Sequence, residues 1–132
     1  MQSERHGMLV AVSPPSIGKL QALLEGCDAD YFDSYGEATD VLGHRQYETV
    51  VIGLHFGESR MFDFVREVKR RQPAARVVCI QGTAGQLNEK ALDCARTALQ
   101  QIGVEGVIDL SRLSAEDCAC LAQLMRTTAP AH

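Results

Sequence analysis

A chain of 132 residues with 45% apolar and 23% charged side chains has the size and composition of one globular domain, and its formal net charge of −4 argues against non-specific affinity for nucleic acid. No apolar run approaches the roughly 18 residues of a membrane span, and the stretch from Met8 to Val12 is too short for a secretory signal, so a cytoplasmic module is expected. Five cysteines, Cys27, Cys79, Cys94, Cys118 and Cys120, are odd in number and scattered, which predicts reduced thiols and not a disulfide framework.

Met8 to Val12 is an unbroken apolar run of the kind seen in parallel strands buried on both faces. Ser13-Pro14-Pro15 then sets a capping hydroxyl ahead of prolines acceptable in a first helical turn, with Ile17, Leu20, Leu23 and Leu24 on one face. Asp30 to Tyr35 is a weaker run carrying acids, which suits an edge strand. A short helix around Glu37 to Leu42 has Ala38, Val41 and Leu42 to bury. Thr49 to Leu54 is the next apolar run. Ser59 is placed to cap a helix in which Met61, Phe64, Val65 and Val68 recur at i, i+3, i+4 and i+7, closed by Pro73. Val77 to Ile80 follows. Thr83-Ala84-Gly85-Gln86 has the capping-box pattern and opens a helix predicted to reach Ile102, about five turns, with Leu87, Ala91, Ala95, Ala98, Leu99 and Ile102 as its stripe and Gly103 as its end. After Val107 to Leu110, Ser114-Ala115-Glu116-Asp117 opens a fifth helix with Cys118, Leu121, Ala122 and Met125 on one side. Thr127 to His132 reads as a frayed tail.

Five alternations of strand and helix predict an α/β domain, a flavodoxin-like (βα)5 doubly wound parallel sheet with strand order 2-1-3-4-5, because each parallel crossover needs a helix to span it. A single domain with its core at about 8–126 is expected. Charge is divided along it. Leu20 to His44 holds six acids and no Lys or Arg, whereas Arg60 to Arg76 holds six bases against Asp63 and Glu67.

Tyr47-Glu48-Thr49-Val50-Val51-Ile52-Gly53-Leu54-His55-Phe56, a helix, and then Pro73-Ala74-Ala75-Arg76-Val77-Val78-Cys79-Ile80 together resemble the centre of response-regulator receiver domains. Gly103-Val104-Glu105-Gly106-Val107-Ile108 is similar to the approach to their fifth strand. The resemblance spans roughly Met8 to Met125 and implies a signalling module of two-component type. Such domains hold Mg²⁺ with an acidic pair after the first strand and accept a phosphoryl group on an Asp ending the third. A hydroxyl ends the fourth strand and a Lys the fifth. The types follow from the chemistry: carboxylates bind a hard cation, an anionic oxygen attacks phosphorus, and a hydroxyl and an ammonium stabilise the phosphoryl oxygens.

Carried onto this chain, the acidic pair falls on Ser13 and Pro14, the acceptor on Gly53, the hydroxyl on Gln81 and the lysine on Leu110, or on Asp109 with a register slip of one. The resemblance therefore implies a degenerate receiver without phosphoacceptor, metal, cofactor or catalytic residue, whose emptied pocket is Ser13, Pro14, Gly53, His55, Gln81 and Leu110. Function would then rest on protein contact or dimerisation through the face of the fourth helix, fifth strand and fifth helix, with Arg96, Gln100, Asp109 and Arg112 as partner-facing residues between Leu92 and Arg112. The alternative is a small-ligand sensor at the carboxyl ends of the strands, where neutral Gln81 and apolar Leu110 suit an uncharged or weakly anionic ligand. A third reading, phosphorylation at a displaced Asp63, meets the objection that Asp63 falls within a helix.

Other constellations carry less. Gly53-Leu54-His55-Phe56-Gly57 resembles part of the Asp-x-His-x-x-Gly loop of cobalamin-binding domains but lacks the Asp, brings the Gly one place early and follows the wrong strand. Pro14 and Pro15 remove two N–H donors from the helix start where flavodoxin-like proteins cradle phosphate. Cys118 and Cys120, two apart on a helix, point away from each other. The basic run Arg66 to Arg71 has only Phe62 and Phe64 near it, which gives base stacking little support and makes nucleic-acid binding by this domain a poor reading. His6, His44, His55 and His132 show no ligand spacing.

Overall fold

In a computed structural model the described residues are 5–23, 29–54, 56, 60–81 and 89–109. They form strands β1 (Arg5–Ala11), β2 (Ala29–Phe32), β3 (Gln46–Gly53), β4 (Arg76–Gln81) and β5 (Gly106–Asp109), alternating with helices α1 (Pro14–Leu23), α2 (Tyr35–Leu42), α3 (Met61–Arg71) and α4 (Glu89–Gln101). All four strand pairings are parallel and the order is β2-β1-β3-β4-β5, the doubly wound arrangement that the alternation predicts. The fifth helix, the Thr83–Gln86 capping box and the tail lie outside the described residues.

The sheet separates two apolar layers. Leu9, Ala11, Val50, Ile52, Val77 and Cys79 point to one side, where Ala38 and Leu42 of α2, Met61, Phe64, Val65 and Val68 of α3 and Leu99 of α4 close over them. Met8, Val10, Val12, Val51, Val78, Ile80 and Ile108 point to the other, against Leu20 of α1. Strand side chains alternate between faces with period two, so one unbroken Val/Ile run supplies both layers.

Several element bounds differ from the pattern reading, each for a local reason. β1 begins at Arg5 and β3 at Gln46, because main-chain pairing of Arg5 with Gln46 and His6 with Tyr47 continues past the apolar runs. β2 ends at Phe32, and Tyr35 belongs to α2, not to the strand: the Ser34 hydroxyl accepts the Glu37 N–H and caps that helix. The N-cap of α3 is Arg60, with no side-chain cap bond, rather than Ser59. On α4, Leu99 is buried and Ala95 and Ile102 pack on the core, but Ala98 faces solvent.

Gln72, the C-cap residue of α3, is 2% exposed and serves three partners. Its Oε1 accepts the Tyr47 N–H at 2.9 Å, and its Nε2 donates to the carbonyls of Leu42 at 3.0 Å and Arg45 at 2.6 Å. One amide thus ties the end of α3 to the end of α2 and the start of β3, satisfying main-chain groups that burial would otherwise leave unpaired. Gly103 ends the α4 turn at φ +98, a left-handed conformation that suits glycine, with the Lys69 stem packed against it.

Candidate functional site

The carboxyl ends of β1, β3 and β4 converge on the crevice where doubly wound folds bind ligands. Ala11 stands level with Ile52, Gly53 with Ile80 and Gln81 with Asp109. Gly53 closes β3, and the Leu54 N–H continues the ladder by donating to the Ile80 carbonyl at 2.8 Å. The position carried over from the phosphoacceptor is therefore at the strand end. A Cβ added there would lie 3.3 Å from Val12 Cγ1 and 3.4 Å from Val12 Cα. Val12 is fully buried, so its side chain fills the space that a larger residue at Gly53 would need.

Ser13 is half-buried ahead of α1, and Pro14 is the first residue of that helix, where the absent N–H is one of the unpaired donors of any first turn. Gln81 is 1% exposed at the end of β4. Val12, Ser13, Gly53 and Gln81 bring no formal charge to the crevice. Among the described residues no group of three or more His, Cys, Asp or Glu side chains is arranged to hold a metal ion. Asp63 lies in the first turn of α3, exposed, with Oδ1 3.7 Å from Arg66 Nη1. His55 and Leu110 lie outside the described residues.

An aromatic cluster beside the crevice was not anticipated from the sequence. Phe56, fully buried, donates its N–H to the Gly53 carbonyl at 3.0 Å, so the chain folds back immediately after β3. Its ring lies 5.2 Å from Phe64 and 6.4 Å from Tyr35, and the Arg60 guanidinium caps the Tyr35 ring at 3.9 Å. Edge-to-face aromatic contact and cation–π attraction together hold the connection between β3 and α3 to the start of α2. The Ser34-Tyr35 cap sequence was the available signal, obscured because Tyr35 reads equally well as the end of a strand.

On the opposite flank, Arg96 of α4 donates from Nη2 to the Val107 carbonyl of β5 at 3.3 Å, and its Nη1 stands 3.7 Å from Asp93 Oδ1. Arg96 thus spends part of its hydrogen-bonding capacity inside the chain. Gln100, one turn further on, is exposed. Asp109 ends β5 level with Gln81, while Arg112 lies outside the described residues.

Burial alone perturbs Cys79 on β4, pushing its thiol up to about 12, so it stays protonated and unreactive at neutral pH. Burial is also the main reason that the Tyr47 phenol is raised, assisted by its 2.8 Å hydrogen bond to Asp30, which accepts a second bond from Arg45 at 3.0 Å. Both groups lie away from the crevice residues and read as structural.

No protein-family model matches this chain. No curated protein matches either. Solved structures do. The N-terminal signal receiver domain of a two-component response regulator from Bacteroides fragilis superposes with a TM-score of 0.69 at 18% identity, covering 96% of this chain and 99% of that one. A response regulator receiver domain from Clostridium thermocellum gives 0.67 at 18% identity, over 92% and 94%. A Burkholderia pseudomallei response regulator, solved with a phosphorylated aspartic acid, calcium and citrate, gives 0.65 at 17% identity, over 89% of this chain and 72% of that one. The chain shares the flavodoxin-like fold of response-regulator receiver domains.

Proposed function

We propose that this chain is a receiver-fold regulatory module that works without accepting a phosphoryl group, signalling by protein contact rather than by catalysis. The observation that carries the reading is the end of β3. Gly53 brings no nucleophile, and Val12 occupies the volume beside it. Neutral Gln81 stands at the end of β4 where a hydroxyl would steady a phosphoryl oxygen. Ser13 and Pro14, the positions onto which the acidic pair falls, bring no carboxylate for a divalent cation.

The experiment is incubation of the purified protein with Mg²⁺ and a small phosphodonor, read by intact mass. An unchanged mass supports the proposal, and a gain of one phosphoryl group overturns it.

Contact through α4 and β5 is the companion proposal, with Gln100 and the outer face of α4 as the accessible part; Arg96 supports that face by bridging it to β5. A second reading is favoured by the buried amide of Gln81, which gives the crevice a neutral polar group suited to an uncharged or weakly anionic ligand. A thermal-shift panel of nucleotides, cyclic dinucleotides and quinones distinguishes the two, since a ligand at 100 times its Kd adds about 2.7 kcal/mol.

A further inference from the structure

α2 and α3 lie side by side on the same face of the sheet, both closing the same apolar layer, and they turn opposite charges to solvent. On α2 the exposed residues include Glu37 and Asp40, with Asp33 exposed just ahead of the helix. On α3 they include Arg66 and Arg70, 68% and 67% exposed in their side chains. Glu37 and Asp40 are three residues apart and Arg66 and Arg70 four apart, so each pair repeats after about one helical turn, roughly 5–6 Å. Among the described residues no ion pair joins the carboxylates of α2 to the bases of α3. The contacts found stay local to each helix: Asp40 lies 3.9 Å from His44 just past the end of α2, and on α3 Asp63 pairs with Arg66 and Glu67 with Arg70 and Arg71.

We infer that the α2–α3 face is a two-fold interface between two copies of this chain, with α2 of each copy lying on α3 of the other. In a two-fold contact, if one helix touches its neighbour's counterpart, the reverse contact is made as well. An acidic helix next to a basic one on a single face is therefore self-complementary, and charge complementarity selects a second copy over a foreign partner because each copy carries both halves. Shape agrees. Two open grooves lie on this face, one along α2 and one along α3 at the start of α2. One, about 590 Å3, is lined by Phe32, Val41, Glu37 and Asp40 among others. The other, about 300 Å3, is lined by Tyr35, Asp63, Arg66, Glu67 and Arg70. Apolar area comes from Phe32, Val41 and Tyr35, the partly buried apolar side chains that line the two grooves. Exposed ion pairs are worth little singly, so the dimer is weak and salt-sensitive. The inference does not depend on the state of the phosphoacceptor position.

Sedimentation of the intact chain over a concentration series tests it. A monomer–dimer equilibrium whose Kd rises roughly tenfold between about 0.05 and 0.5 M salt is expected. A protein monomeric throughout, or a dimer indifferent to salt, overturns the inference. Two charge-reversed chains then probe the geometry: Arg66→Glu with Arg70→Glu, and Glu37→Lys with Asp40→Lys. Each should remain monomeric alone, and an equimolar mixture should regain a species of dimer mass and no larger, because both contacts are again complementary. Regain by mixing cannot come from unfolded variants. Dimers that persist in each variant alone, a folded mixture that stays monomeric, or loss of the dimer in Gln100→Glu but not in the α3 variant would each overturn the inference, the last in favour of the α4 face.

Discussion

The contact between Gly53 and Val12 can be measured as a coupling energy. In Gly53→Ala the new Cβ stands 3.3 Å from Val12 Cγ1 and 3.4 Å from Val12 Cα and Cβ, all fully buried. Carbon atoms rest at about 3.5–4.0 Å, so Val12 must move by a few tenths of an ångström inside a packed layer. Overpacking of this kind costs about 1–3 kcal/mol, while replacing a strand glycine with alanine offsets about 0.5–1 kcal/mol through lost chain entropy. The expected net effect is destabilisation of about 1 kcal/mol. Val12→Ala removes Cγ1, the closest atom, and in its background the cost of Gly53→Ala should shrink by about 0.5–1 kcal/mol. Urea denaturation of the four proteins, followed by far-ultraviolet circular dichroism, gives the cycle. Stabilisation by Gly53→Ala, or additivity within about 0.3 kcal/mol, would refute the argument that Val12 fills the space beside Gly53.

Gln72→Leu should destabilise by about 2–3 kcal/mol, since it strips partners from the Tyr47 N–H and the Leu42 and Arg45 carbonyls at once; a denaturation midpoint within error of the parent would contradict this. Gly103→Ala places a side chain at φ +98 and a Cβ 2.6 Å from Lys69 Cε. The lysine stem can swing aside, so the backbone term of about 1–2 kcal/mol should dominate, and Gly103→Asn should be milder; equal melting temperatures for parent and Gly103→Ala would count against it. Because folding raises the Cys79 thiol to about 12, the unfolded chain loses that proton first as pH rises, so this group's contribution to stability is complete below about 9 and disappears by about 12. Denaturation across that window should show the fall, reduced in slope in Cys79→Ala. A thiol reagent at neutral pH should label Cys94, exposed on α4, long before Cys79; equal rates would contradict the burial of β4.

The sheet was legible because Val50 to Ile52 and Val77 to Ile80 feed both apolar layers and so leave no polar interruption. α3 was legible because Met61, Phe64, Val65 and Val68 all face inward. Strand starts were not, since Arg5 to Gly7 and Gln46 to Glu48 are held by main-chain pairing that side-chain type does not report. At the crevice, Gly53 and Gln81 were found by counting to strand ends, but Val12 was overlooked as the residue that fills the space, because alternation fixes which face a side chain takes and not what it touches across the next strand. Gln72 was hidden for a similar reason. It follows Arg70 and Arg71, in a stretch that reads as solvated, and its burial is a property of the contact between α2, α3 and β3.

That single amide also sets the mechanics of the face. With its last turn pinned beside the start of β3, a tilt of α3 about Gln72 would be that of a lever. Eleven residues at 1.5 Å each make an arm of about 16 Å. A rotation of only about 5° would therefore carry the Arg60 end by about 1.4 Å while barely shifting the fulcrum. The far end is where Arg60 grips Tyr35 and the connection from β3 arrives. A displacement of Phe56, whose ring packs on Phe64 and Tyr35, would therefore bear on that end of α3 and on the start of α2, while the Leu42 end of α2 stays with the fulcrum.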